Sequence, residues 1–274
     1  MRKVPENEKE TCKTRYPIFL VHGTGFRDDN KLYNYWGRIP KALMDRGATV
    51  FYGGQDSWGN IEKNAEIIKA TLEQYLKNNG IDKVNIIAHS KGGLEARYMI
   101  SKLGMAQNVA SLTTISTPHH GSKSIDLFYT VPNLVFEFIA LFVNLANRIM
   151  GDKHPDFHKA CKQMSERECR AFNEEVLNQD GILYQSYGTK LKYPFSDLMY
   201  FFLHIFIKSM EGENDGLVPV ASSKWGAFRG VIESPNWRGV SHSDVVDIWR
   251  SNLFGFDIRQ IYITIVNELK ERGL

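Results

Sequence analysis

The stretch VNIIAHSKGG, Val84 to Gly93, decides how this chain folds. An apolar run ends at His89, a lone hydroxyl follows at Ser90, and two glycines come directly after Lys91. A short continuous apolar run reads as a strand covered on both faces. From Gly92 to Leu103 the apolar residues Leu94, Ala96, Met99 and Ile100 follow helical spacing. A strand that turns this sharply into a helix holds the corner residue in a strained backbone conformation. It also needs small residues two positions before and two after, because strand and helix nearly touch. Ala88 and Gly92 occupy those positions. The turn sets Ser90 at the carboxyl end of a central strand, where open parallel sheets bind ligands. It also lies at a helix N-terminus, where the Lys91 N–H can point at a developing oxyanion. An ordinary N-cap serine gives the same local pattern. The reading therefore depends on what the rest of the chain supplies.

Working outward, further strands are expected at Tyr16–Gly23, over 48–54 and at Val109–Thr117, with helices over 37–47 and 60–76. Apolar strands alternating with helices predict an α/β fold with a mostly parallel central sheet and helices on both faces. The alternation breaks after Gly121. A mostly helical insertion is expected over about 122–178, then a strand at Gly181–Gly188, a second, aromatic-rich insertion over about 189–210, and a closing helix, Asp257–Lys270. No repeat or low-complexity linker divides the 274 residues, so one domain spanning 1–274 is expected.

Composition narrows the classes. The chain is 43% apolar and 24% charged, with a formal net charge of +3 whose basic residues are scattered, so no nucleic-acid partner is expected. The three cysteines, Cys12, Cys161 and Cys169, show no metal-binding spacing. The first 17 residues are charged and lack an apolar leader segment, a pattern that fits a cytoplasmic protein or the mature form of a secreted one. The apolar stretches Leu134–Ala146 and Leu198–Ile207 fall short of the ~20 residues of a membrane span.

A serine nucleophile needs further parts. A second oxyanion donor should come from the loop after an earlier strand, and LVHGTGF offers the Thr24 N–H beside that of Lys91. His22 in that loop reads as a structural histidine. An acid should follow a later strand, and GENDGLVPV offers Asp215, although Asn-Asp-Gly also favours turns by itself. The base should lie near the C-terminus, since such triads run Ser, acid, His along the chain. His242 is the one histidine after Asp215; His119 and His120 are expected to shape the pocket rim. Ser90, Asp215 and His242 thus form the candidate catalytic set.

With these residues in place the chain resembles the bacterial true lipases of the alpha/beta-hydrolase superfamily, the Pseudomonas and Burkholderia type. The resemblance is carried by YPIFLVHGTGF, YWGRIPKALMDRGATVF, KVNIIAHSKGGLEARYMI, TISTPHHGS, MSERECRAFNEEV, NDGLVPVASSKWG and HSD. It implies a serine hydrolase that cleaves carboxylic esters of water-insoluble substrates through an acyl-enzyme, with no cofactor needed for the chemistry. An esterase or polyester hydrolase for other bulky apolar esters, or a binding module without turnover, are the alternatives. It also implies a helical lid after HHGS that meets a lipid–water interface. On that reading a helix from VPNLVFEFIALFVNLANRIM would cover the acyl pocket and, when open, present Phe136, Phe138, Leu141 and Phe142 to lipid; a buried core helix is the other reading. Finally, it implies a structural calcium with Asp244 and Asp197 as carboxylate ligands, although Ile248 stands where the family's glutamine ligand would fall. Asp244 also reads as a plain turn or helix-start acid.

Overall fold

The computed structural model describes residues 9–28, 34–128 and 133–274. Six strands form one sheet: β1 (Ile18–Val21), β2 (Val50–Tyr52), β3 (Val84–His89), β4 (Val109–Ile115), β5 (Leu183–Thr189) and β6 (Ala227–Ile232). Their spatial order is β2-β1-β3-β4-β5-β6, and every neighbouring pair is parallel. All the strand carboxyl ends therefore share one edge, and the loops that leave them can converge there.

Alternation along the strands builds a core on each face. Ile18 and Leu20 of β1 point to one side with Ile87 and Ile115. There they meet α1 (Ile39–Met44) through Ile39 and Leu43, and α9 (Arg259–Glu271) through Tyr262, Ile265, Val266 and Leu269. Phe19 and Val21 point to the other side with Ile86, Ala88 and Leu112. That face is covered by α2 (Ile61–Asn79) through Ala65, Ile68 and Leu72, and by α3 (Gly92–Lys102) through Ala96, Met99 and Ile100. Cover on both faces explains why every residue of β3 and β4 is buried, the few polar ones among them included. Asn60 caps α2 by accepting from the Lys63 N–H, and Gly80 closes it in the left-handed conformation.

Between β4 and β5 the chain makes α4 (Lys123–Phe128), α5 (Asn133–Ile149), α6 (Phe157–Lys162) and α7 (Glu166–Glu175). Residues 129–132, part of the sequence assigned to a lid, lie outside the described residues, as do 1–8 of the N-terminal stretch. After β5 comes α8 (Phe201–Glu211). Strand β6 was not read from the sequence. It is an edge strand, half exposed, with Gly230 at a φ of +117° and a register shift against β5, so it lacks the apolar run that betrays the central strands. The three cysteines are free; burial pushes the thiols of Cys161 and Cys169 up to about 12, which leaves them protonated.

Helix α5 is an inverted amphipath. Ala140 and Asn147 are buried, and Asn144 accepts from the Phe157 N–H at 2.9 Å. Asn147 accepts from the Ser57 hydroxyl at 3.1 Å. The apolar stripe Phe138, Leu141, Phe142, Leu145 and Ile149 faces outward, with Phe138 63% exposed. Phe136, expected to face lipid when a lid opens, here stacks on Phe157 and packs at a tilt against His158 of α6. Helix α8 does likewise: His204 and Ile207 are buried, while Phe202 is 81% exposed and Ile205, Phe206 and Met210 are also exposed. No helix among the described residues is long and apolar enough to cross a membrane.

Candidate active site

Ser90 sits on the turn from β3 to α3 with a φ of +55°, a left-handed conformation that a non-glycine residue adopts at a cost. The small residues around it have a steric reason. A Cβ on Gly92 would lie 2.3 Å from the His22 carbonyl oxygen, and one on Gly23 would lie 2.6 Å from the Ser90 Cβ. The β1 loop and the serine turn thus approach so closely that only glycine fits at both points. This brings the loop bearing Thr24 beside Ser90. Neither the Thr24 nor the Lys91 N–H has an acceptor among the described residues, as donors for an oxyanion should be in the free state. His22 is structural: its ring nitrogens lie 2.7 Å from the Gly23 carbonyl oxygen and 3.1 Å from that of Gln55.

The three residues of the candidate set, far apart in sequence, meet at the sheet's carboxyl edge. His242 Nε2 lies 3.0 Å from Ser90 Oγ, and His242 Nδ1 lies 2.9 Å from Asp215 Oδ2. Asp215 is fully buried and both its oxygens are used. Oδ1 accepts from the N–H groups of Leu217 at 3.0 Å and Val218 at 2.8 Å; Oδ2 accepts also from the Thr189 hydroxyl at 2.9 Å. Burial by itself would raise the Asp215 pKa, but the His242 charge and hydrogen bond, with the two backbone donors, outweigh it and hold the carboxyl below its ordinary value. An ionised, acceptor-only carboxylate fixes the neutral imidazole with its proton on Nδ1, which leaves Nε2 to accept from the serine hydroxyl.

Several supporting residues were not legible in sequence. Thr189 ends β5 and in turn meets the Ser116 hydroxyl at 2.6 Å; nothing local marks it. Tyr35 donates to His89 Nδ1 at 2.6 Å, and the His89 ring lies 4.5 Å from that of His242. Burial first, and then the His242 charge, keep His89 well below the usual histidine pKa, hence neutral beside the base. The Lys91 side chain points away from the oxyanion position into the core, where it pairs with buried Glu95, itself bonded by Asn64 at 2.7 Å. His204 of α8 holds Asn214 at 2.9 Å, and Asn214 accepts from the Gly216 N–H, which fixes the turn that carries Asp215.

His119 is not on a pocket rim as the sequence suggested. It is buried, bonded to Thr114 at 2.9 Å and Arg97 at 3.2 Å, and stacked on Trp225. His120 does line an open cavity of 670 Å³, with Trp225, Arg170 and Glu211. That cavity contains none of Ser90, Asp215 or His242. Ser90 itself is 4% exposed and His242 7%, so the reacting atoms are covered.

Asp197 and Asp244 come together, but on a guanidinium. Arg238 donates from Nη2 to Asp197 Oδ2 at 2.9 Å and from Nη1 to Asp244 Oδ2. Asp244 Oδ2 also accepts from the Ser241 N–H at 2.9 Å, and Asp197 Oδ1 from the Met199 N–H at 3.1 Å. One oxygen, Asp244 Oδ1, has no partner among the described residues. A calcium ion takes roughly six to eight oxygens and would have to displace or sit against a fixed positive charge, so these residues do not fit it. Among the described residues no cluster of three or more acidic, histidine or cysteine side chains could hold a metal. Burial raises the Asp244 pKa, and the Arg238 and Ser241 contacts draw it back.

Residues 17–187 match the family model described as palmitoyl protein thioesterase. The chain is 32% identical to triacylglycerol lipase 2 of Saccharomyces cerevisiae over 268 residues, which is 90% of this chain and 78% of that protein. It is 37% identical to a triacylglycerol lipase of Burkholderia plantarii over 150 residues, 52% of this chain and 41% of that longer protein. The crystal structure of Staphylococcus hyicus lipase superposes with a TM-score of 0.68 at 18% identity, covering 99% of this chain and 98% of that one, a likeness of fold.

Proposed function

We infer that this chain, which belongs to the palmitoyl protein thioesterase family and to the alpha/beta-hydrolase lipases, and is a carboxylic ester hydrolase, cleaves esters of water-insoluble substrates from a lipid–water interface. Ser90 Oγ attacks the ester carbonyl carbon while its proton passes to His242 Nε2. The negative charge that gathers on the carbonyl oxygen is taken by the Thr24 and Lys91 N–H groups, each such donor being worth about 3 kcal/mol of barrier. Asp215 stabilises the imidazolium. The imidazolium then gives its proton to the leaving alkoxide, so an alcohol departs and Ser90 keeps the acyl group. Water, deprotonated by the same His242 Nε2, attacks the acyl-enzyme carbonyl; the imidazolium then returns that proton to Ser90 Oγ as the acyl–oxygen bond breaks, which frees the carboxylic acid and restores the serine hydroxyl. The observation that carries the reading is the unbroken hydrogen-bond line from Ser90 Oγ through His242 to Asp215, at 3.0 and 2.9 Å.

The covered nucleophile and the outward apolar stripes of α5 and α8 support a substrate that arrives in an apolar phase. Monomeric soluble proteins rarely present apolar stripes of this size unless something apolar meets them. Movement of the insertion that bears α4 and α5 would carry its exposed phenylalanines into the lipid.

The test is hydrolysis of p-nitrophenyl esters from acetate to palmitate, above and below the solubility limit of each. The reading expects a rate that rises as long-chain esters form an interface, and its loss in Ser90→Ala. A smooth rate through the solubility limit with preference for acetate would indicate an esterase for soluble substrates.

A further inference from the structure

We propose that Arg238 is the built-in cation of the histidine loop: its guanidinium bridges Asp197 and Asp244 where a divalent ion would otherwise have to neutralise them, and thereby positions His242 without calcium. The inference rests on His242 as the general base.

Three features carry it. The first is placement. Asp197 stands at the entry to α8, the helix whose His204 holds the Asp215 turn, and Asp244 stands two residues after His242. Arg238 therefore ties the segment behind the acid to the loop that bears the base. Around it the backbone is knitted to the same parts: the Lys192 N–H donates to the Arg238 carbonyl oxygen at 3.2 Å, and the His242 N–H to the Asp215 carbonyl oxygen at 3.0 Å. The second is burial. Arg238 is 7% exposed, and Asp197 and Asp244 are equally withdrawn from water. Two buried carboxylates facing one another repel unless a cation lies between them. The third is geometry. The planar fork spans two separate acids with its two terminal nitrogens, which is a bridging role that a lysine ammonium, a single point charge, fills poorly. Tyr200 adds a further strut by bonding the Ser243 hydroxyl, next to the base. Arg238 touches none of Ser90, Asp215 or His242, so it is a positioning residue.

The experiment uses the full chain, a soluble short-chain p-nitrophenyl ester, and calcium chloride or EDTA. Wild type should keep its kcat, KM and Tm within about twofold or a degree or two whether calcium is removed or added, and calorimetry should detect no calcium binding at these acids. Arg238→Ala should lose roughly tenfold or more in kcat with KM little changed, because the base is displaced while the ester pocket is left intact. The same variant opens space between two unpaired carboxylates, so millimolar calcium should bind it and restore several-fold of the lost turnover and part of the lost Tm. Arg238→Lys should keep more of the Tm than Arg238→Ala and still fall short of wild type in kcat. A wild-type enzyme that loses activity in EDTA and regains it specifically with calcium would overturn the proposal, whatever the variants do. So would an Arg238→Ala enzyme with unchanged turnover, or one that neither binds calcium nor responds to it. These failures are separate from failure of the hydrolase reading, which would appear as a Ser90→Ala enzyme that still turns over.

Discussion

Around Ser90, polar groups are buried and spoken for; on α5 and α8, large apolar groups face outward. Asp215 has four donors on its two oxygens, and its histidine partner is pinned on both ring nitrogens. On α5, by contrast, asparagines 144 and 147 turn inward and phenylalanines 138 and 142 outward, the reverse of a helix that merely covers a core. The difference teaches where each part of the function resides. Preorganised donors lower a barrier because they need not move when charge develops. The outward stripe lowers no barrier; it is a standing free-energy reserve of about 2 kcal/mol per large side chain, released only when an apolar phase covers it. On the proposed reading, chemistry is fixed at the sheet edge and delivery falls to the insertions.

Substitutions that act on one region and spare the other sharpen this contrast. The largest effect should come from Asp215→Asn. An amide places the wrong tautomer on His242, and kcat should drop by about 10⁴-fold with little change in far-UV circular dichroism. A loss under tenfold would mean that Asp215 is only a turn residue. Next, replacing Phe138, Phe142 and Phe202 by serine should cut the rate on emulsified long-chain ester by roughly 10- to 100-fold, while leaving hydrolysis of a soluble acetate ester within about twofold. Tm should hold or rise, because these rings are exposed; a fall of many degrees would show that they belong to a core. Smaller again is Thr189→Val, which removes one donor from the Asp215 carboxylate without changing side-chain volume. A kcat loss of about tenfold at constant KM is expected, the size of one hydrogen bond to a charged group. Unaltered kcat would free Thr189 of any role.

The smallest effect is on stability. His89 and His119 are both kept well below the ordinary histidine value of 6.5, by burial first and then by neighbouring positive charge. Below pH 6.5 the unfolded chain takes up protons that the folded one refuses, so stability should fall as the pH drops. Thermal melts at neutral pH and at about pH 5 should differ by several degrees, with the acid value lower. Identical melts would mean that these rings charge in place.

What could be read from the sequence follows the same division. The strands β1, β3 and β4 announce themselves because cover on both faces demands mostly apolar, β-branched runs, and the serine turn because Gly92 must clear the His22 carbonyl. Ser90 and Asp215 are recoverable from the turns that carry them, and His242 from chain order, since it is the one histidine beyond Asp215. Thr189 and Arg238 were out of reach. Their roles arise from partners 26 residues away for Thr189 and 41 away for Asp197 on Arg238, and neither carries a local pattern. The resemblance implied a metal at Asp197 and Asp244, and nothing in the sequence could correct that, because charge balance is invisible until the third group, the guanidinium, is seen between them. Strand β6 was missed because an edge strand need not be apolar, and the packing of Phe136 on α6 was not legible because helical spacing alone does not say which side of α5 meets α6.

The most direct test of the central claim is covalent. Incubation with an activated p-nitrophenyl phosphonate, followed by peptide mass spectrometry, asks which atom is the nucleophile and whether His242 activates it. One phosphonyl group per chain on the peptide bearing Ser90, formed at least about 10³-fold more slowly in His242→Ala, is the predicted result. A label on any other residue, or labelling of Ser90 at an undiminished rate without His242, would contradict it.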